Sequence, residues 1–256
     1  MQHTLQAFEI RTYATNQWHA TAHTTVARQA AALASRLEQH GCTKRFVVSS
    51  VAEGYSLPLV YLAAWQINAA VAPIDCEDRD DELADVVKRL DAAVVVCEAK
   101  DAERLGRLTP VPVLASLVVN EACDAPPVPF ASDAYAHCFF TSGSTGKPKG
   151  CLVTRNALAT YAHARNRVDG VDATSVLLLA SHHAFDPTVG DVAQCALSQA
   201  SLCCAPRRDV VFALDELLRT SRCTHITTTP PLFSLALTGF IATSGSCGPP
   251  IGGTYS

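Results

Sequence analysis

The chain has 256 residues, of which 48% are hydrophobic and 17% are charged, so it can bury a sizeable core as one large domain or two small lobes. Its net charge of −4 argues against a nucleic-acid partner, and it contains no basic run and no RNA-binding aromatic motif. The N-terminal residues do not resemble a secretory signal. The most apolar stretch, residues 57–74, contains two polar residues and two prolines, which argues against a membrane span.

Cysteine and histidine usage gives no indication of a metal site. The 11 cysteines show no CxxC spacing, and the adjacent Cys203 and Cys204 cannot chelate zinc on their own. Free thiols in a reducing compartment are the simplest interpretation, which predicts a cytoplasmic location. The nine histidines form no HExxH motif and no His/Cys pair at metal spacing, so the sequence predicts no metal site.

The first third of the chain alternates helices and strands. Apolar residues at helical spacing predict a helix over residues 24–40, and an apolar run predicts a buried strand over residues 45–51. A second helix is predicted over residues 57–67 and a short strand over residues 70–74. Asn68 lies between them, at a turn where asparagine tolerates the left-handed conformation.

The same alternation continues to residue 228, which predicts an α/β fold with mainly parallel sheets flanked by helices. A proline-rich connector at residues 125–129 is the best boundary between two α/β lobes, residues 1–125 and 131–242. The remaining predicted elements are helix 80–90, strand 93–97, strand 111–119, strand 136–140, helix 156–165, strand 175–180, helix 189–197, strand 200–204, helix 212–219 and strand 225–228.

The ten residues TSGSTGKPKG, at 141–150, form a glycine- and hydroxyl-rich loop directly after a predicted strand. Glycines allow backbone N–H groups to converge on an anion, and hydroxyls and lysines add donors and positive charge. A P-loop is excluded because Gly146-Lys147 is followed by Pro148 instead of Ser or Thr. A flexible linker is the remaining alternative. The predicted phosphate-binding residues are Thr141, Ser142, Gly143, Ser144, Thr145, Gly146 and Lys149.

This loop resembles the phosphate-binding core motif of the adenylate-forming superfamily, which includes acyl-CoA synthetases, luciferases and adenylation domains of nonribosomal peptide synthetases. Residues 65–75, WQINAAVAPID, resemble the family segment LKAGAAYVPID, with Asn68 in place of glycine. Residues 225–233, HITTTPPLF, resemble a family strand that ends in T-x-P-x-L. The resemblance implies the N-terminal part of the adenylate-forming fold.

A second motif, FDPTVGD at residues 185–191, resembles the FDxSVxE segment of amino-acid-activating adenylation domains. The resemblance implies that Asp186 pairs with the ammonium of an amino acid, a charge-assisted contact that selects against amine-free substrates. A plain helix N-cap before Pro187 is the alternative role for Asp186. Pro187 and Gly190 would face the side-chain pocket. One of His182 and His183, with His183 preferred, would act as a gate beside the substrate carboxylate.

The implied reaction joins a carboxylate to ATP, giving an acyl-adenylate and pyrophosphate, with ATP and Mg²⁺ as cofactors and a carrier protein or CoA as acceptor. The family's Mg²⁺-binding glutamate, ribose-binding aspartate and catalytic lysine do not follow in this sequence. The tail, residues 243–256, is rich in Gly, Ser and Pro and is predicted to be a disordered end of a truncated or frameshifted chain. Weak or no turnover by this chain alone is therefore expected.

Two other functions stay open from the sequence. One is an acyl-CoA synthetase-like ligase for a carboxylate without an amine, against which Asp186 argues. The other is a non-catalytic remnant that acts as a binding module, which the missing family segments favour.

Overall fold

The structure, a computed structural model, describes residues 4–75, 77–115, 117, 130, 133–141 and 148–234 of the chain. Eleven strands and eight α-helices are assigned within these ranges. In chain order they are β1 (Ile10–Ala14), β2 (Gln17–Thr21), α1 (His23–Gln39), β3 (Phe46–Ser50), α2 (Ser56–Gln66), β4 (Ala70–Pro73), α3 (Asp80–Arg89), β5 (Val94–Cys97), α4 (Ala102–Leu108), β6 (Val113–Leu114), β7 (Tyr135–Thr141), β8 (Lys149–Thr154), α5 (Arg155–Asp169), β9 (Val176–Leu179), α6 (Asp186–Ser198), β10 (Ser201–Cys204), α7 (Arg207–Phe212), α8 (Leu214–Ser221) and β11 (His225–Thr227).

The strands form two sheets that are mainly parallel, as predicted. The first sheet has the order β6-β5-β3-β4-β7-β8, and only its β7–β8 pair is antiparallel. The second sheet has the order β11-β9-β10-β1-β2, and only its β1–β2 pair is antiparallel. Parallel neighbours require crossover connections, and the helices between consecutive strands supply them.

The helices and sheets stack in alternating layers. Residues of α1, α2, α5 and α6 pack in one apolar cluster with the inner faces of both sheets, so these four helices lie between the sheets. Helices α3 and α4 cover the outer face of the first sheet, and α7 and α8 cover the outer face of the second. Within β3, Val47 faces inward and Val48 outward, and both are fully buried. A strand covered on both faces reads as a continuous apolar run, which explains why such strands are visible in the sequence.

Most predicted elements are present within about three residues of their predicted bounds, but five of the assigned strands and α-helices were not predicted: β1, β2, β8, α4 and α7. The strands β1, β2 and β8 are partly exposed, and they lack a continuous apolar run. Helix α4 has a single buried residue, Leu105. Of the strand predicted over residues 111–119, the structure assigns Val113–Leu114, and residues 116, 118 and 119 lie outside the described ranges.

The helix predicted over residues 212–219 corresponds to α8, Leu214–Ser221, whereas the preceding helix α7, Arg207–Phe212, was not predicted. Helix α7 ends at Phe212, and α8 starts at Leu214. Ala213 between them has φ −138 and ψ 29, which is outside helical geometry.

Each sheet takes strands from both of the predicted lobes. Strands β1 and β2 join β9, β10 and β11, whereas β7 and β8 join β4 in the first sheet. The division into lobes at residues 1–125 and 131–242 stays a prediction about folding units. The connector at residues 125–129 and the tail at residues 243–256 lie outside the described ranges. Within the part of the chain that the structure describes, no helix combines the length and the apolar character that crossing a membrane requires.

A buried arginine ties the start of α5 to the end of α2. Arg155 is fully buried, and its guanidinium donates to the carbonyl oxygen of Trp65 and, at 2.9 Å, to Oδ1 of Asn68. Asn68 has φ 60, which confirms the left-handed turn expected there. The side chain of Asn68 therefore has a use that glycine could not supply, because it accepts a hydrogen bond from a buried cation.

Candidate active-site cleft

A cleft of about 870 Å³ opens where strands of the two sheets end. Its lining includes Asp75 after β4, Thr141 at the end of β7, and residues 182 and 184–186 between β9 and the first turn of α6. Ligands of open parallel sheets bind in the crevice outside the carboxyl ends of the strands, where neighbouring connections diverge. The position of this cleft therefore matches that of a substrate site.

One side of the cleft is the hairpin wall, which consists of β7 and β8. Thr141 pairs with Lys149 at the open end of this antiparallel ladder, and the Thr141 hydroxyl lies 3.5 Å from the Lys149 carbonyl oxygen. Lys149 is exposed. The expected phosphate-binding residues Ser142, Gly143, Ser144, Thr145 and Gly146 lie outside the described ranges. The described ends of the loop are thus held together in register at the rim of the cleft.

Asp186 also lines the cleft, as the first residue of α6. The N-cap residue is Phe185, and no side chain caps this helix, so the N-cap role considered for Asp186 is wrong. Asp186 is exposed. Thr188 holds the preceding turn in place, because its hydroxyl donates to the His182 carbonyl oxygen at 2.9 Å. The carboxylate of Asp186 is therefore accessible to a ligand in the cleft.

The histidine wall consists of Glu53, Asp75, His182 and His183. His182 lines the cleft, whereas His183, the residue preferred from sequence, is buried behind it. The two rings lie 4.1 Å apart between centroids. His182 Nε2 lies 3.4 Å from Asp75 Oδ2, and its Nδ1 accepts from the backbone N–H of Ala184 at 3.3 Å. Of the two histidines, it is thus His182 that faces the cleft.

His183 is held at both ring nitrogens. Its Nδ1 lies 3.3 Å from Glu53 Oε1, and its Nε2 lies 3.3 Å from the carbonyl oxygen of Ile74. The backbone N–H of His183 also donates to Glu53 Oε1 at 2.8 Å. These three contacts join the connections after β3, β4 and β9 into one polar cluster behind the cleft.

In the histidine wall, the shifts in pKa favour the ionised form of Glu53 and the neutral form of the half-buried His182. Burial alone would raise the pKa of Glu53, but hydrogen bonds from His183 and from backbone N–H groups lower that pKa to about 2. Burial, followed by the charge of His183, lowers the pKa of His182 from its ordinary value. Asp78 lines the cleft nearby, and burial together with the charge of Asp75 raises its pKa.

Pro187 and Gly190, expected to face the substrate side chain, lie in α6. Within the described ranges the lining of the cleft includes Asp186 but neither of these two residues. Pro187 is half-buried and Gly190 is buried. A Cβ added to Gly190 would lie 2.9 Å from Cε1 of Tyr161, so a larger residue at position 190 would require the Tyr161 side chain to move.

Asp191, next to Gly190, is a buried carboxylate. Its Oδ1 accepts from the Thr227 hydroxyl at 3.1 Å, and its Oδ2 has no hydrogen-bond partner. Burial raises the pKa of Asp191 to about 7, against the lowering effects of Thr227 and Arg165.

Sequence reasoning missed Glu53 and Asp75 as site residues. Each follows a buried strand of the first sheet, which is the signal that could have identified them, since carboxyl ends of parallel strands meet at one edge. Arg207 was also missed, although it lines the cleft and donates to the Ala180 carbonyl oxygen at 2.6 Å. No local motif marks Arg207, because its position depends on the packing of α7 against the second sheet.

Comparisons with known proteins agree with this architecture. The family model described as "AMP-binding enzyme" matches residues 2–250. Nonribosomal peptide synthetase otaB of Aspergillus carbonarius is 26% identical over 199 residues, which cover 77% of this chain and 11% of the synthetase. Nonribosomal peptide synthetase 2 of Cochliobolus heterostrophus is 29% identical over 213 residues, covering 79% of this chain and 4% of that protein. The chain thus spans a small part of these relatives.

Solved structures share the fold at low sequence identity. The nonribosomal peptide synthetase FmoA3, in its alpha-methyl-L-serine-AMP bound form, has a TM-score of 0.79 at 22% identity, over 94% of this chain and 27% of the FmoA3 chain. Apo MatB from Rhodopseudomonas palustris has a TM-score of 0.78 at 17% identity, over 93% of this chain and 48% of the MatB chain. VinN in complex with L-aspartate has a TM-score of 0.76 at 18% identity, over 95% of this chain and 67% of the VinN chain. The resemblance seen in the sequence motifs is confirmed, and the chain belongs to the AMP-binding enzyme family.

Proposed function

We propose that the cleft binds ATP and an amino acid and supports activation of the amino acid as an acyl-adenylate. The observation that carries the proposal is the placement of Asp186 across one cleft from the paired ends of the phosphate loop, Thr141 and Lys149. FmoA3 with an amino-acyl adenylate and VinN with L-aspartate support the same ligand class. A carrier protein or CoA is the proposed acceptor of the activated group.

In the proposed reaction a carboxylate oxygen of the substrate attacks the α-phosphorus of ATP. The new bond is a carboxyl–phosphate anhydride, and the bond between the α-phosphorus and the bridging oxygen breaks with its electron pair leaving on pyrophosphate. The exposed ammonium of Lys149 is placed to offset phosphate charge at the rim. The carboxylate of Asp186 orients the substrate through its ammonium group.

The donor set of the cleft fits magnesium-bound ATP better than bare ATP. Asp75, Asp78 and Asp186 line the cleft, and three carboxylates would repel a free polyphosphate. Carboxylate and hydroxyl oxygens are the ligands that Mg²⁺ prefers, so Asp75, Asp78 and Thr141 are the residues that would hold it. When bound, Mg²⁺ supplies charge neutralisation for the phosphates.

A second candidate, activation of a carboxylate without an amine, is favoured by the exposure of Asp186. An exposed carboxylate stays hydrated when no ammonium meets it, so the penalty for an amine-free substrate is smaller than at a buried position. The two candidate functions differ only in whether the cleft binds an amine on the substrate.

Calorimetric titration with non-hydrolysable acyl-sulfamoyl adenosines tests the proposal without requiring turnover by the purified chain. A panel of aminoacyl forms is compared with the matching deamino forms on the wild type, on Asp186→Ala, and on Asp133→Ala as an exposed control outside the cleft lining. We expect the wild type and the control to prefer one or more aminoacyl forms by about tenfold, and Asp186→Ala to lose that preference. Tight binding without an amine preference would favour the second candidate. Failure of every adenylate analogue to bind would contradict both.

A further inference from the structure

We propose that Glu53, His182 and His183 form a binding site for a divalent transition-metal ion of the zinc class. One ligand atom from each of these side chains lies within 4.8 Å of the other two. The residues come from the connection after β3 and the connection after β9, so the two sheets bring them together. The three ligands differ from the residues proposed above for Mg²⁺, although Asp75 borders both positions.

The distances are close to those that a zinc ion imposes. Two ligands of a tetrahedral zinc with bonds of 2.0–2.2 Å stand about 3.3 Å apart. His183 Nδ1 and Glu53 Oε1 already lie 3.3 Å apart. The other separations in the cluster are 4.8 Å or less, so a bound ion would draw the half-buried His182 ring towards the other two ligands.

The outer nitrogens of both histidines already have the partners that metal-bound histidines use. Ligating histidines typically donate their other ring N–H to a carboxylate or a backbone carbonyl, which fixes the ring and its tautomer. His182 Nε2 faces Asp75 Oδ2 at 3.4 Å, and His183 Nε2 faces the Ile74 carbonyl oxygen at 3.3 Å. A metal bound through both Nδ1 atoms and Glu53 Oε1 would displace the Ala184 N–H contact to His182 and would compete with the contacts that His183 makes to Glu53 Oε1.

The donor set selects the class of ion. Two imidazoles and one carboxylate suit zinc, nickel, copper and iron, whereas Mg²⁺ and Ca²⁺ prefer oxygen ligands alone. Three protein ligands leave a fourth position open, as in zinc sites that bind a water or a substrate. Since His182 lines the cleft while Glu53 and His183 lie behind it, the open position faces the cleft.

Titration with Co²⁺, followed by visible absorption and by competition with Zn²⁺ in excess Mg²⁺, tests this site in the purified chain. Cobalt is informative because the chain has 11 cysteines, and a thiolate–cobalt bond adds an intense charge-transfer band that a histidine–carboxylate site lacks. We expect one Co²⁺ per chain, visible bands without a thiolate band, and displacement by Zn²⁺.

Two variants and two controls make the assignment specific. His182→Ala removes the half-buried ligand, and Glu53→Gln removes the carboxylate at nearly unchanged volume, so at least one of them should fold. Each variant is expected to bind Co²⁺ at least about tenfold more weakly. His19→Ala and Cys151→Ser change an exposed histidine and an exposed cysteine and should bind as the wild type does. Absence of stoichiometric binding, a thiolate band, or equal affinity in His182→Ala would overturn the proposal.

Discussion

The hairpin wall and the histidine wall meet at the same cleft but are built differently. The hairpin wall is a local structure, in which β8 is mostly exposed and the functional groups sit in one continuous run of sequence. The histidine wall is assembled from three separate connections, and its Glu53 and His183 side chains are only 3% and 7% exposed. A buried polar cluster must satisfy its own hydrogen bonds, whereas an exposed hairpin end can rely on water. Changes on the two walls should therefore differ in their effect on stability.

The largest effect is expected where the hairpin wall is anchored in the core, at Arg155 directly after β8. Arg155→Met keeps much of the side-chain length but leaves the Trp65 carbonyl oxygen and the Asn68 amide oxygen without their buried donor. We expect a loss of about 3 kcal/mol in the free energy of unfolding. Urea unfolding of the variant and the wild type measures it.

Arg167→Met on the same helix is the matched control, because Arg167 is exposed. It should change the unfolding free energy by no more than about 0.5 kcal/mol. Equal losses in the two variants would mean that the buried guanidinium does not anchor the hairpin.

Glu53→Gln should remove much of the acid sensitivity of the histidine wall. The pKa of Glu53 is about 2 in the folded protein, below its value in the unfolded chain, so its ionised form stabilises the fold. That contribution is complete above about pH 5 and is lost as the pH falls towards 2, and it amounts to at most about 3 kcal/mol. Urea unfolding at several pH values, with a chelator present, should show a smaller slope in the variant over this window. An unchanged slope would contradict the electrostatic account.

Asp191→Asn should have the opposite effect on the pH dependence of stability, because the pKa of Asp191 is raised whereas that of Glu53 is lowered. The pKa of Asp191 is raised to about 7 by burial, so the folded chain holds a proton that the unfolded chain has already released. In the wild type, the contribution of Asp191 to the free energy of unfolding is largest below about pH 4 and falls as the pH rises from 4 to 7. Because Asn carries no charge, the variant is expected to be more stable than the wild type at pH 8, by on the order of 1–2 kcal/mol after the unpaired amide is allowed for. A variant equally destabilised at pH 5 and pH 8 would contradict this.

The smallest effect on folding is expected at the rim of the hairpin wall. Lys149 is exposed, so Lys149→Ala should change the free energy of unfolding by less than about 0.5 kcal/mol in the absence of ligand. Urea unfolding measures this value. A larger loss would show that Lys149 supports the hairpin itself instead of being held ready for a ligand.

The same contrast explains how much of the molecule could be predicted from sequence. Strands such as β3 and β5 are buried on both faces and appear as apolar runs, so the mainly parallel α/β fold was predictable. The edge strands β2 and β8 were missed, because a half-exposed strand depends on its neighbour for definition. Strand β1 pairs with β10, which lies about 190 residues further along the chain, and no local pattern reports such a pairing.

The candidate site likewise contains some residues that contiguous motifs mark in the sequence and others that only the fold brings together. Thr141, Lys149 and Asp186 belong to contiguous motifs that can be read from the sequence; Thr141 and Asp186 line the cleft, and Lys149 pairs with Thr141. Glu53 was not identified, because its importance comes from contact with His183, 130 residues away. The structure places His182 at the cleft and buries His183, a difference that sequence cannot show because it does not tell which of two adjacent histidines turns into the core.

Thermal unfolding of the purified chain with and without Mg·ATP tests the central claim, that the cleft is a nucleotide site, most directly. A ligand that binds only the native state raises its melting temperature by mass action. We expect Mg·ATP to stabilise the wild type, and the Thr145→Ala/Lys149→Ala variant to melt like the wild type without ligand but to gain little from Mg·ATP. A cooperative melt of the wild type that Mg·ATP does not shift, or an equal shift in the variant, would contradict the claim.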